Sequence, residues 1–154
     1  MNLIWETDFV VAQTACLARS LKQWTGRELL PGVSNPMELA QKVFEAPFVV
    51  VSHGTEADPV LNYGNRAALA LWEMSWAELT RTPSRLTAEA MTREKRAKLL
   101  EAVARHGFIE NYSGVRVSKS GRRFRISNVT IWNLISENGK PCGQAAVFDK
   151  REFL

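Results

Sequence analysis

The chain has 154 residues, of which 45% are apolar and 23% charged, and a formal net charge of +4. That length suits one domain with one hydrophobic core. The composition excludes a disordered chain, a coiled-coil rod and a collagen-like repeat. Apolar runs such as Phe48-Val49-Val50-Val51 are far shorter than the roughly 20 residues of a membrane-spanning helix.

Glu6 and Asp8 stand where an export signal needs a basic start and an apolar stretch. Cys16 and Cys142 are too few and too far apart for a disulfide framework or a CxxC zinc site. The expectation is a cytoplasmic protein in a reducing compartment, with no membrane association.

Charge is unevenly spread. Residues 1–80 hold 5 basic and 9 acidic side chains, whereas 81–125 hold 12 and 4. A basic segment of this kind can face phosphate, so nucleic-acid binding through 81–125 is one reading. Base-stacking aromatics between these arginines are scarce, which counts against it. The plainer reading is a solvated helix face and a charged hairpin edge.

In chain order, residues 6–24 read as a helix. Leu3, Thr7, Val10, Thr14, Leu17, Leu21 and Trp24 recur at steps of four and three, and Gly26 stops it. The helix must bury this stripe, on its own sheet or against a second chain. The alternating steps favour a homodimer, with residues near Thr14 close to the two-fold axis. Asn35-Pro36-Met37-Glu38 opens a second helix that ends before Pro47. Phe48–His53 and Val60–Tyr63 read as a hairpin. From 65 to about 106 the pattern is helical, broken at Pro83 and opened at Ser75 by a capping box with Glu78. In the last of these helices Ala97, Leu100, Val103 and Ala104 are read as facing in. Arg93, Lys95, Arg96 and Lys98 are read as facing out.

Three strands follow, at 109–118, 122–135 and 142–149. In the long strand Phe124 and Ile126 fall on one face and Val129 and Ile131 on the other. That asks for a bulge near Ser127-Asn128, or a sheet covered on both faces. Five strands joined mostly by tight turns make an antiparallel sheet with helices on one side and a two-helix N-terminal lead-in, an α+β fold. Residues 1–34 read as the N-terminal helix and linker, and 35–154 as the domain proper.

Asn62-Tyr-Gly-Asn65-Arg-Ala67-Ala68 with Leu71-Trp72 resembles the PAS pattern, in which a strand delivers an asparagine into a small-residue helix. A closer resemblance is to the PAS-like MEKHLA family, found as free-standing bacterial proteins and at the C-terminus of plant homeodomain–leucine zipper regulators. It rests on Ser52-His53, Asp58-Pro59, Tyr63-Gly64-Asn65, Leu71-Trp72-Glu73, Pro83-Ser84-Arg85, Tyr112-Ser-Gly114-Val-Arg116, Gly121-Arg-Arg123-Phe124, Trp132-Asn133-Leu134 and Gly143-Gln144-Ala-Ala146. The chain is similar to the free-standing bacterial type. With no zipper in the sequence, the plant regulator function does not carry over. The resemblance implies a five-stranded PAS-like fold that binds a small molecule, a protein partner or both.

Candidate pocket residues are His53, Tyr63, Asn65, Trp72, Tyr112, Phe124, Asn128, Trp132 and Gln144. Large aromatics and buried amides on an inner sheet face either pack and bond to backbone or meet a ligand. Arg85, Arg116, Arg122, Arg123 and Arg125 form a group suited to a carboxylate or phosphate, or simply to water. No catalytic set and no bound flavin, haem or metal are expected. PAS-type flavin photochemistry needs a cysteine on a mid-domain helix, and Cys16 and Cys142 lie elsewhere. Ser52-His53 with Asp58 suggests a triad, but neighbours on a strand face opposite ways. The competing class is a small cone-shaped α+β enzyme of isomerase or dehydratase type, using Glu73 or Glu110 as a pocket carboxylate.

Overall fold

The computed structural model describes residues 3–154, apart from the side chains at positions 90–92. A 3-10 turn at Ile4–Glu6 leads into helix α1, Asp8–Thr25. The Thr7 hydroxyl caps α1 by accepting the Val10 N–H at 3.3 Å. Helix α2, Pro36–Glu45, is capped by Asn35, whose side chain accepts the Glu38 N–H. Strands β1 (Val49–His53) and β2 (Leu61–Gly64) form an antiparallel hairpin. Helices α3 (Arg66–Trp72), α4 (Trp76–Leu79) and α5 (Ala90–His106) follow, with a 3-10 turn at Ser84–Thr87 before α5. Strands β3 (Phe108–Val117), β4 (Arg123–Ile135) and β5 (Pro141–Phe148) complete the main sheet. Its order is β2-β1-β5-β4-β3, antiparallel throughout.

The α+β antiparallel architecture is as the sequence implies, with one addition. A sixth strand, β6 (Arg151–Phe153), pairs with the first part of β4, continuing the edge that β5 leaves. Three residues beyond a bend are too few to show alternation.

Both faces of the sheet are covered. Val49, Ile126, Val129, Ile131 and Phe148 pack with α3 and α5. Val50, Tyr63, Trp132, Leu134 and Ala145 pack with α1 and α2. The long strand keeps Phe124, Ile126, Val129 and Ile131 in one cluster by means of a bulge. Ile126 pairs with Gly114 and Val129 with Tyr112, so β4 carries one extra residue there. Asn128 takes φ 55° at that point, and Asn111 takes φ 59° on the facing strand. Asparagine is among the few side chains that tolerate this left-handed conformation.

The stripe on α1 is buried within its own chain, which corrects the expectation of a helix-to-helix homodimer seam. Val10, Thr14, Leu17 and Leu21 are all buried, packed with Trp132 and Leu134 of β4. The Ser20 hydroxyl receives the Ile135 N–H at 2.9 Å, and the Trp24 indole N–H donates to the Asn133 carbonyl at 2.9 Å. The sheet supplies the partner that a lone helix needs, so Thr14 lies against the sheet rather than at a two-fold axis. Among the described residues no helix is long and apolar enough to cross a membrane.

Candidate functional site

Between α5 and the sheet face that carries the odd-numbered residues of β1 lies a partly open cavity of about 50 Å³. Its apolar wall includes Trp72, Leu100, Ile126, Val129, Ile131 and Phe148. Its polar side is made by His53, Thr87, Arg96, Arg116 and Gln144. An open groove of about 290 Å³ adjoins it and shares His53, Leu100 and Gln144.

Strand geometry decides which side chains enter. Within β1, Val49 belongs to the cavity-side cluster and Val50 to the α1-side cluster, so His53 turns to the cavity and Ser52 away from it. The His53 Nδ1 lies 2.9 Å from the Gly54 carbonyl. A carbonyl only accepts, so Nδ1 carries the proton and Nε2 is left as an acceptor. His53 Nε2 is buried without a hydrogen-bond partner among the described residues, and Gln144 lies alongside the ring without completing one. Burial lowers the His53 pKa below 6.5, with a further push from the Arg96 charge. The Trp72 indole N–H is likewise buried without a partner.

Two guanidinium groups border the same space. Arg96 Nη2 donates to the Ser84 hydroxyl at 2.8 Å. Burial, then the nearby Arg116 charge, draws the Arg96 pKa down to about 10, so it stays charged at neutral pH. Arg116 is only 6% exposed. It donates to the Val115 carbonyl at 2.9 Å and to the Tyr112 hydroxyl at 3.4 and 3.5 Å, and it lies over the Tyr112 ring.

Of the nine candidate pocket residues, His53, Trp72 and Gln144 line the cavity. Tyr112 stands behind it as the partner of Arg116. Phe124 packs edge-on against Trp72, with ring centres 5.4 Å apart. The other four do not reach the cavity. Tyr63 and Trp132 are fully buried on the opposite face with α1. Asn128 is exposed at the bulge. Asn65 is a backbone clamp: its Oδ1 accepts the Val50 and Ala68 N–H groups, and its Nδ2 donates to the Val43 and Phe48 carbonyls. Four bonds leave it nothing for a ligand.

The model for the MEKHLA domain matches residues 11–153. The chain belongs to the MEKHLA domain family. No curated protein matches it by sequence. Among solved structures it is similar to the PAS domain of a protein from Colwellia psychrerythraea, at 14% identity and a TM-score of 0.63, over 76% of this chain and 94% of that one. It is also similar to an RNA-binding light-oxygen-voltage receptor, at 16% identity and a TM-score of 0.64, over 80% of this chain but only 36% of that one. A light-oxygen-voltage domain studied with a flavin analogue matches at 16% identity and a TM-score of 0.59, over 76% and 84% of the two chains. At these identities the likeness is one of fold: this MEKHLA domain has the PAS fold.

That likeness raises flavin, and this MEKHLA domain does not fit it. The cavity, at about 50 Å³, is too small for three fused rings. Pockets for drug-sized molecules run to about 300–1,000 Å³. Helices α3, α4 and α5 carry no cysteine. Cys16 and Cys142 sit together on the far face of the sheet, with sulfurs 3.8 Å apart.

Two further readings are corrected by placement. Arg96 turns inward, whereas Ala97 and Ala104 are exposed. Arg96, Leu100 and Val103 are spaced four and three apart, so they share one face of α5, and that spacing was the available signal. Glu73 is exposed at the end of α3, accepting the Ser120 hydroxyl at 2.5 Å, and Glu110 is exposed and paired with Arg27 at 2.9 Å. Neither borders the cavity. Of the twelve basic side chains at 81–125, four are ion-paired among the described residues: Arg85 with Asp58, Lys98 with Glu94, Lys119 with Glu78 and Arg123 with Glu89. The Ser52 hydroxyl meets Gln13 and Asn62, on the far side of the strand from His53. Among the described residues no group of three or more His, Cys, Asp or Glu is placed to hold a metal.

Proposed function

We propose that this MEKHLA domain is a non-catalytic sensory module that binds a small molecule in the cavity between α5 and the sheet. The observation that supports this is the pair of buried ring nitrogens without partners, Trp72 Nε1 and His53 Nε2, on residues that border one cavity. Buried polar atoms are nearly always bonded; two others in this chain, Tyr63 Oη and Trp132 Nε1, are unbonded within the packed α1-side core, whereas these two border open space that a ligand can fill. The open groove past His53 and Gln144 gives the entry path.

The same residues offer a route for the signal. Gln144 Nε2 donates to the Leu100 carbonyl of α5 at 2.8 Å and to Asn133 Oδ1 at 3.1 Å, while Asn133 Nδ2 holds the Val103 and Ala104 carbonyls. A ligand that engages His53 and Gln144 pulls on the tether between α5 and the sheet. In this reading residues 35–154 are the binding unit, and 1–34 cover the opposite face. A protein partner reads the position of α5, in a reducing cytoplasm.

The test is native mass spectrometry of protein purified from its own host. The reading expects a small organic adduct that is absent from Ala146→Leu, which fills the cavity, and present in Trp132→Phe on the far face. Ligand-free protein throughout, or an adduct indifferent to Ala146→Leu, overturns it.

A further inference from the structure

Two positive charges border a cavity that holds no negative one. Among the described residues, the ion pairs of this chain use neither Arg96 nor Arg116. The partners they do have are neutral: a serine hydroxyl for Arg96, and a tyrosine hydroxyl and a backbone carbonyl for Arg116. A guanidinium offers five N–H donors, so both keep donors to spare. Each repels the other, which is one cause of the lowered Arg96 pKa. Placing two like charges beside a low-dielectric space is costly unless an anion joins them. The unpartnered Trp72 indole adds a third donor on the same wall.

We infer that the cavity is a carboxylate site, in which Arg96, Arg116 and the Trp72 N–H receive the head group of a small organic acid whose apolar body lies against Ile126, Val129 and Phe148. This rests on the small-molecule reading above and names its ligand class. The size of the cavity restricts the enclosed part to a few heavy atoms, and anything longer leaves through the groove beside Leu100 and Gln144. The apolar wall favours an organic acid over inorganic phosphate, which is polar on every side. Guanidinium forks match the two oxygens of a carboxylate, and charge-assisted bonds of this kind are about twice as strong as neutral ones.

Calorimetric titration of the full chain with propionate, lactate and benzoate, each against its neutral amide, tests this at constant ionic strength. At least one acid is expected to bind ten times more tightly than its amide or better. Arg96→Gln is expected to weaken that acid at least tenfold, with the circular dichroism spectrum unchanged. Equal binding of acid and amide overturns the carboxylate assignment and leaves the small-molecule reading standing. Binding of inorganic phosphate but of no acid also overturns it. If no acid and no amide binds, the inference fails, and the mass-spectrometric experiment then decides separately whether the cavity holds any ligand. The comparison of acid with amide on the unaltered protein stands even if Arg96→Gln does not fold.

Discussion

His53 and Gln144 are register partners across β1 and β5, and both border the cavity and the groove that adjoins it. Their side chains divide the work. Gln144 spends its amide N–H groups on α5 and on Asn133. His53 fixes its ring on its neighbour's carbonyl and leaves Nε2 toward the cavity. One residue holds the helix and the other waits for a partner.

His53 makes stability depend on pH in a definite direction. Its folded pKa lies below the unfolded value of about 6.5, so the unfolded chain takes up the proton first. The stability it contributes is fully present above pH 6.5 and is lost as pH falls through the lowered folded value. The carboxylates Glu56, Glu73 and Glu78 have pKa values below 4.5 and act only at lower pH. Melting temperature is therefore expected to decline between pH 6.5 and 5 in the natural chain and to stay flatter in His53→Gln. Parallel curves would reject the assignment.

Trp132 belongs to the core on the α1 side, fully buried against Leu17 and Leu21. Trp132→Ala is expected to cost about 3–5 kcal/mol in urea unfolding, as large-to-small aromatic changes in cores do. A loss below about 1 kcal/mol would show that the far face is not packed as described.

The Cys142 thiol has its pKa pushed up to about 11, first by burial and then by the Cys16 thiol beside it. Thiolate is then scarce at neutral pH. Reaction of the folded protein with a disulfide reagent at pH 8 is expected to be roughly tenfold slower than for a free thiol, or slower still, and to become fast on unfolding. Fast labelling of the folded chain would contradict this burial.

Much of the fold was legible in the sequence because local rules and tertiary packing agree. Thr7, Asn35, Asn65 and Ser75 each cap a helix start. The switch from Ile126 to Val129 announced the bulge at Asn128. The site was harder to read, for two physical reasons. A sheet covered on both faces buries alternate residues equally, so Ile131 and Trp132 are equally apolar in sequence although only Ile131 borders the cavity. An arginine on a charged helix reads as solvated, and only its spacing with Leu100 and Val103 betrays Arg96. The α1 stripe shows the same limit: periodicity says that a face is buried, not whose surface buries it.

The division of the sheet into a binding face and a packing face is tested most directly through the indole N–H resonances. The chain has five tryptophans, and three of them report on the two sides: Trp72 on the cavity, Trp24 and Trp132 on the α1 face. The uniformly ¹⁵N-labelled protein is titrated with the organic acid that binds best. The Trp72 indole signal is expected to move and saturate while those of Trp24 and Trp132 stay in place. Movement of the Trp132 signal with Trp72 unchanged would contradict that division.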